Sequence, residues 1–188
     1  MHDNFKFQTE QLLESLHDAT NWHQQISKTI GYLKEAFLQQ KKVLVAGNGG
    51  SATLAQHFTD EMVGRYRVSR PPLPVIALTA DSAVLTCIGN DFGFEHVFSR
   101  QVEALGQAGD VLLVFSTSGK SENLLRAVTQ AKKQKLNTVA FTGKQSQLAE
   151  ETLCAVTAPS DDPPRIQELH LHAIHLICET FEPRPTGT

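Results

Sequence analysis

The sequence has few cysteines and little excess charge, and each shortage excludes a class of protein. Its 188 residues include only three cysteines, Cys87, Cys154 and Cys178, which lie far apart in apolar surroundings. An odd, scattered set predicts reduced core thiols of a cytosolic protein and excludes a disulfide framework or a cysteine zinc site. The 17 basic and 20 acidic residues give a net charge of −3, so we expect neither nucleic acid nor an anionic membrane as partner.

Long apolar runs, repeats and low-complexity segments are also lacking. No run approaches the roughly 18 apolar residues of a membrane span, and residues 1–4 lack the basic flank of a signal peptide. The remaining composition, 40% hydrophobic and 20% charged, is typical of a globular protein. At about 150 residues per domain, the length predicts one domain.

Residues 1–40 carry apolar side chains at helical spacing in two groups. This pattern predicts an N-terminal helical hairpin, with Thr20 or Asn21 as the cap of its second helix. The large aromatic side chains in this segment allow the hairpin to pack on its own domain or on a second subunit.

The body, residues 41–182, alternates short apolar runs with helical patterns. Four runs begin at Val43, Pro74, Val111 and Thr138, and a weaker fifth covers residues 153–157. Apolar runs without alternation are typical of strands covered on both faces. The order therefore predicts right-handed βαβ units and a doubly wound α/β fold. The last helix is predicted over residues 165–181, followed by a loose tail over 183–188.

Ligands of such folds bind at the carboxyl ends of the strands, so the loops that follow the runs are the first candidates for a site. The first loop, Gly47–Ser51, precedes a helix whose free N–H groups favour an anion. It could also be a tight turn or a dinucleotide loop, although the G-x-G-x-x-G spacing is missing.

The loop after the third run holds four hydroxyl groups within six residues, on Ser116, Thr117, Ser118 and Ser121. Hydroxyl and amide donors at the start of a helix are suited to a phosphate monoester, although a simple helix cap would have the same composition. Two such loops in one sheet favour a phosphorylated small molecule.

A third feature is the pair His57 and Glu61, which are four residues apart and therefore share one helix face. They could bind a metal or act as a base and its partner, or they could simply be a surface contact. The C-terminal helix carries five further candidates, Gln167, Glu168, His170, His172 and His175. Spacing favours Glu168 with His172, or His172 with His175.

Gln167 and His175, by contrast, lie eight residues apart and about 80° apart around the helix. They can converge on one site only with help from elsewhere. Geometry alone leaves the choice among these candidates open.

Taken together, several motifs in a fixed order make a family resemblance specific. They are Ala46–Ser51, Gln56–Phe58, Glu61, Gly64–Tyr66, Gly89–Phe94, Gly109–Leu112, Ser116–Gly119 with Ser121, Thr142–Gly143 and Arg165–Glu168. Over essentially the whole chain, these residues resemble the phosphoheptose isomerases of the SIS (sugar-isomerase) domain family. One position departs from the pattern: several of these isomerases have an acidic residue where this chain has Pro164.

The resemblance implies a five-stranded, flavodoxin-like parallel sheet in a cytoplasmic homotetramer with active sites between subunits. It implies one zinc ion per subunit, held by His57, Glu61, Gln167 and His175. It implies that Ser116, Thr117, Ser118 and Ser121 bind the phosphate. The sugar would contact Asn48, Gly49, Gly50, Ser51, Asn90 and Asp91, together with Glu61 and Gln167. His170 and His172 would then have packing roles.

The implied reaction converts D-sedoheptulose 7-phosphate to D-glycero-D-manno-heptose 7-phosphate through an enediol or enediolate, as the first step of a heptose pathway such as that of lipopolysaccharide. Glu61 would be the base and His175 its acid/base partner. A non-catalytic branch of the family, which binds the bacterial replication initiator, is the alternative, but it replaces both residues. A sugar-phosphate-sensing regulator would need a DNA-binding extension for which this chain has no room.

Overall fold

A computed structural model describes residues 2–17 and 19–183 of the chain, with side chains from residue 4 onward. Helices α1 (His2–His17) and α2 (Thr20–Leu38) come before the sheet. The body follows as β1 (Val43–Gly47), α3 (Gly50–Val63), β2 (Val75–Ala77), α4 (Ser82–Phe92), a 3-10 turn (Phe94–His96), α5 (Ser99–Leu105), β3 (Val111–Ser116), α6 (Glu122–Lys133), β4 (Asn137–Thr142), α7 (Gln147–Glu151), β5 (Cys154–Thr157) and α8 (Pro163–Glu179).

The five strands form one parallel sheet in the order β2-β1-β3-β4-β5. The predicted five-stranded, doubly wound sheet is therefore confirmed. Strand order reverses between β1 and β3, where the connections leave toward opposite faces. Their two following loops diverge and leave the crevice in which ligands of such sheets bind.

Both faces of the sheet are covered, which explains the absence of alternation in the apolar runs. In β1, Val43 and Val45 pack with α2, α3 and α8, whereas Leu44 and Ala46 pack with α4, α5, α6 and α7. All four side chains are fully buried. Each fully buried valine or leucine stabilises the fold by about 1.5–3 kcal/mol.

The second N-terminal helix belongs to this core. Trp22, Ile26 and Leu33 of α2 are buried among residues of β5 and α8. The predicted cap is wrong: α2 begins at Thr20, and the buried Ala19 occupies the cap position without a side-chain hydrogen bond. The carbonyl oxygen of Ala19 accepts the first helical hydrogen bond, from N–H of His23 at 2.8 Å, so the helix begins one residue earlier than a cap at Thr20 would allow.

The start of α8, the burial of the cysteines and the C-terminal tail were also predicted, with different outcomes. Helix α8 begins at Pro163 and not after Pro164, because proline in the first turn has no intrahelical N–H bond to lose. Cys154 and Cys178 are buried as predicted, but Cys87 is exposed on α4. Residues 184–188 of the predicted tail lie outside the described residues. Among the helices that are described, none has the length and apolar content to cross a membrane.

Candidate active site

Helices α3 and α8 pack side by side and bring three polar side chains together. Nε2 of His57 lies 3.1 Å from Nε2 of His175 and 3.6 Å from Oε1 of Glu61. Each residue offers one atom that could bind a metal, and these three atoms all lie within 4.8 Å of one another. The spacing of four residues places His57 and Glu61 on one face of α3, and α8 supplies His175 to that face.

This donor set fits a zinc ion. Zinc–ligand bonds of about 2.0–2.1 Å in a tetrahedron place the ligand atoms roughly 3.4 Å apart, close to the two separations found here. Two histidines and one glutamate are also a typical set of protein ligands for a catalytic zinc ion, and they leave a fourth position open. The cluster is part-buried, so a ligand can reach it.

Other polar and aromatic side chains lie beside the two histidines. Nδ1 of His57, the ring nitrogen away from the cluster, lies 3.5 Å from Oδ1 of Asp60. Metal-binding histidines commonly have a carboxylate on the ring nitrogen that does not face the metal, and Asp60 lies on that side of His57. The ring of Tyr66 lies 5.6 Å from that of His175, and the guanidinium of Arg67 lies over the Tyr66 ring at 5.2 Å from its centroid.

A buried arginine holds the end of α3 that carries Glu61. Arg70 donates hydrogen bonds to the backbone carbonyl oxygens of Glu61, at 2.8 Å, and Met62, at 2.9 Å. Its Nε lies 3.4 Å from Oε1 of Glu182, and the side chains of this ion pair are 5% and 7% exposed. Carbonyl groups at the end of a helix lack intrahelical partners. Arg70 supplies one for Glu61, whereas the Met62 carbonyl oxygen also accepts a hydrogen bond from N–H of Leu73 at 3.1 Å.

Cys178 lies near the cluster but is not suited to join it. Burial, and next the negative charge of Glu61, raise the pKa of its thiol to about 12. Its Sγ lies 3.9 Å from Sδ of Met62. A thiol with so high a pKa is a poor nucleophile at neutral pH, and the ligand atoms that lie together are those of His57, Glu61 and His175.

The other histidines of α8 contact apolar groups. His170 is fully buried, with ring centroids 5.8 Å from Phe115 and 5.9 Å from Phe141. Burial lowers its pKa to about 4, so the ring is neutral at neutral pH. His172 stacks on Trp22, and Glu168 pairs with Arg165. The two pairings that spacing favoured are thus not the ones that the fold brings together.

Gln167 lies away from the three clustered residues, beside the first residue of α3. A Cβ atom on Gly50 would lie only 2.6 Å from Nε2 of Gln167, so the end of the Gln167 side chain packs directly against Gly50. Eight residues along α8 correspond to an axial rise of about 12 Å between Gln167 and His175. Within one chain the structure therefore brings together three of the four predicted metal ligands.

The hydroxyl-rich loop lies between β3 and α6, as expected. Ser116 is buried, and its Oγ accepts a hydrogen bond from N–H of Gly119 at 3.0 Å. Gly119 has φ +62°, a conformation that favours glycine and curls the loop. Ser121 occupies the cap position of α6, but its side chain makes no capping hydrogen bond. Its hydroxyl is therefore not used as the simple helix cap that was the alternative.

A cavity of about 670 Å³ opens between the loops after β1 and β3. Its lining consists of Asn48, Phe94, Glu95, Ser121, Glu122, Asn123 and Arg126. Thr117 and Ser118 instead line a neighbouring hollow of about 320 Å³, which also contains Lys120 and Lys144. The predicted anion-binding loops thus border the crevice at the point where strand order reverses.

The remaining predicted sugar contacts divide into two groups. Gly49 is exposed and Ser51 is buried in the first turn of α3, directly after Asn48. Asn90 and Asp91 lie at the exposed end of α4, where Asn90 donates a 2.7 Å hydrogen bond to Asp91. Neither of these two residues lines the cavity.

Sequence reasoning assigned no role to Arg70, Glu182, Tyr66 or Asn123. Arg70 and Glu182 are 112 positions apart in sequence, and no local pattern indicates that they pair. Tyr66 belongs to a motif of the resemblance, which gave the only signal for it. Asn123 lies two residues beyond the last loop hydroxyl, so proximity alone could have drawn attention to it.

Comparison with known proteins agrees with this geometry. A family model described as the SIS domain matches residues 5–143. A phosphoheptose isomerase from Bradyrhizobium sp. is 54% identical over 144 residues, which cover 76% of this chain and 72% of that protein. One from Geotalea daltonii is 41% identical and covers 94% of this chain and 98% of its own length.

A solved structure of a phosphoheptose isomerase from Francisella tularensis superimposes with a TM-score of 0.90 at 36% identity, covering 94% of this chain and 95% of the other. The fold and the sequence match therefore define a SIS domain protein. More narrowly, the chain belongs to the phosphoheptose isomerase family. As a member of a family of isomerases, it is an enzyme.

Proposed function

We propose that this enzyme converts D-sedoheptulose 7-phosphate to D-glycero-D-manno-heptose 7-phosphate, the first step of heptose nucleotide formation, in the cytoplasm. The observation that carries the proposal is the convergence of Glu61 with His57 and His175, two residues that lie on different helices. An aldose–ketose isomerisation needs a base and an acid/base partner close to each other, and this cluster supplies both.

The proton transfers follow from the chemistry of the sugar. The Glu61 carboxylate takes a proton from C1 of the ketose, and the electron pair of that C–H bond forms a double bond between C1 and C2. The carbonyl oxygen at C2 then receives a proton from His175, which gives the enediol. His175 removes the hydroxyl proton at C1, and Glu61 returns its proton to C2, which completes the aldose.

His57, Glu61 and His175 would hold the zinc ion, which supplies Lewis-acid polarisation of the substrate oxygens when bound. A carboxylate committed to a metal is a weak base, so Glu61 would act as the base only when its side chain is free of the ion, with sugar bound. Arg70 keeps the helix backbone at Glu61 in place, so only the side chain has to move.

The phosphate group would bind the loop after β3, through Ser116, Thr117, Ser118 and Ser121. The unused hydroxyl of Ser121 and the start of α6 support this assignment, because free N–H groups there favour an anion. Asn48 to Ser51, with Asn90 and Asp91, would bind the sugar hydroxyls. Of these, Asn48 lines the cavity that Ser121 also lines.

We propose that each active site is built from two subunits of a homotetramer. Glu61 lies eleven residues beyond Gly50, an axial rise of about 16 Å along α3, so one chain holds its loops and its cluster at opposite ends of a helix. Gln167 lies at the Gly50 end. A neighbouring subunit would bring its own loops and Gln167 toward the cluster, which would supply the fourth zinc ligand.

A coupled assay with sedoheptulose 7-phosphate tests the function. We expect turnover that is lost after treatment with a metal chelator and restored by added zinc. Protein that holds no zinc and shows no turnover after zinc addition would contradict the proposal and would favour the initiator-binding role. A pull-down with the replication initiator protein would then test that role directly.

A further inference from the structure

Asn48 and Asn123 form a reciprocal pair of side-chain hydrogen bonds beside the cavity. Nδ2 of Asn48 donates to Oδ1 of Asn123 at 2.9 Å, and Nδ2 of Asn123 donates to Oδ1 of Asn48, also at 2.9 Å. Asn48 directly follows β1, and Asn123 lies in the first turn of α6 after β3. The pair therefore bridges the point where strand order reverses.

The pair fixes what Asn48 can offer to a ligand. Each side-chain amide has two N–H donors and an oxygen with two lone pairs. The contact with Asn123 uses one donor and one lone pair of Asn48, which leaves one of each. Because both bonds must form together, the amide plane of Asn48 cannot rotate without breaking both.

Asn123 is buried, so its side-chain amide needs a polar partner, and Asn48 is that partner. Its residue surface is only 3% exposed, whereas Asn48 is half-buried at the cavity. A buried amide is stable only when its polar atoms have partners. Leu124 and Ala127, the apolar neighbours of Asn123 on α6, are fully buried, so Asn123 stands at the edge of the core.

We propose that Asn123 is a positioning residue that holds the amide of Asn48 in the orientation that binds a hydroxyl group of the sugar phosphate. This inference rests on the proposed function. In this role Asn123 affects substrate binding only through Asn48, which differs from a role in stabilising α6. The distinction can be measured, because the effect should vanish when Asn48 is removed.

A double-mutant cycle provides the first test. N123L removes both hydrogen bonds at similar side-chain volume, and we expect it to lower kcat/KM for sedoheptulose 7-phosphate about ten- to hundredfold. In an N48A background, the same change should alter kcat/KM less than about twofold, because the coupled partner is gone. Q130L, which removes an amide elsewhere on α6, is the matched control and should leave kcat/KM unchanged.

A pH titration of N123D provides the second test. A neutral carboxyl group has one donor and one acceptor and can replace the amide, whereas the ionised form has no donor. The ratio of kcat/KM for N123D to that for wild type should therefore rise severalfold from about pH 8 to about pH 5. The corresponding ratio for N123L should stay flat over the same range.

The side-chain amide NMR signals of Asn48, in isotope-labelled protein, report on the hydrogen bonds with residue 123 independently of turnover. They should shift with pH in N123D and remain constant in wild type. Equal losses from N123L in both backgrounds, or pH-independent Asn48 signals in N123D, would overturn the positioning role. Absence of turnover in wild type would instead overturn the proposed function, and the NMR titration would still decide the role of Asn123.

Discussion

Nε2 of His57 lies 3.1 Å from Nε2 of His175, although 118 positions separate the two residues in sequence. The contact exists because α3 and α8 run side by side in the same direction, with Gly50 beside Gln167 at one end and the two histidines further along. Glu61 adds a carboxylate one helical turn beyond His57. The fold thus brings three side chains from two helices together as a candidate metal-binding cluster.

Replacing Glu61 by Gln should remove the base and retain the fold. We expect kcat to fall about 10²–10⁴-fold, the usual loss for a general base, with little change in thermal unfolding or in sugar-phosphate binding. Steady-state kinetics and calorimetric binding of sedoheptulose 7-phosphate measure the two effects. E150Q makes the same change on the exposed surface of α7 and should behave as wild type. An E61Q enzyme with more than about a tenth of wild-type kcat would remove Glu61 from this role.

Mixed oligomers test whether the site lies between subunits. E61Q and S118A are each expected to be nearly inactive alone, because one lacks the base and the other a phosphate donor. If each site combines the cluster of one subunit with the loop of another, random co-assembly should restore about a quarter of the wild-type sites. The measurement is kcat of co-expressed, doubly tagged protein. Activity no higher than that of the separate variants would place the whole site in one chain.

The fold was largely predictable because its signals are local. The uninterrupted apolar runs at Val43 and Val111 follow directly from burial of both faces of the sheet. The predicted cap at Thr20 or Asn21 was wrong because Ala19, which has no capping side chain and is buried in the core, occupies the cap position through its backbone carbonyl. The prediction that Cys87 is a core thiol was wrong because an apolar helix pattern does not show which face of α4 meets solvent.

The site was predictable only in part. Spacing identified His57 with Glu61, because both lie on one helix. Spacing could not select His175 over His170 and His172, since that choice depends on which face of α8 meets α3. The choice of His175 came from the family resemblance. Asn123 and Arg70 were missed because their partners, Asn48 and Glu182, are distant in sequence.

Arg70 is expected to matter far more for stability than its neighbour Arg67. R70M removes the positive charge beside the buried Glu182 carboxylate, which keeps its hydrogen bond from the N–H of Val68, and it leaves the Glu61 carbonyl without Arg70. The free energy of unfolding should therefore fall by about 3 kcal/mol. The matched control is R67M, which breaks the exposed pair with Glu179 and should cause little change. Urea unfolding of both variants gives the comparison. Equal stabilities would show that Arg70 does not support this end of α3.

His170 should make the protein sensitive to acid. Burial lowers the pKa of His170 to about 4, so between its unfolded value of 6.5 and pH 4 only the unfolded chain binds the proton. Stability is therefore lost as pH falls through this window, by about 3 kcal/mol in total. H170L should remove this part of the loss, whereas H17L, at an exposed site, should not. Urea unfolding at several pH values would contradict the assignment if wild type and H170L lost stability in parallel.

The claim that Glu61 carries the proton between carbon atoms can be tested most directly by running the reaction in D₂O. The Glu61 side chain is 17% exposed, so a proton held there can exchange with solvent. We predict deuterium at C2 of the heptose product and at C1 of recovered sedoheptulose 7-phosphate, and no such labelling with E61Q. Product formed without deuterium by wild type, together with undiminished turnover by E61Q, would contradict the account.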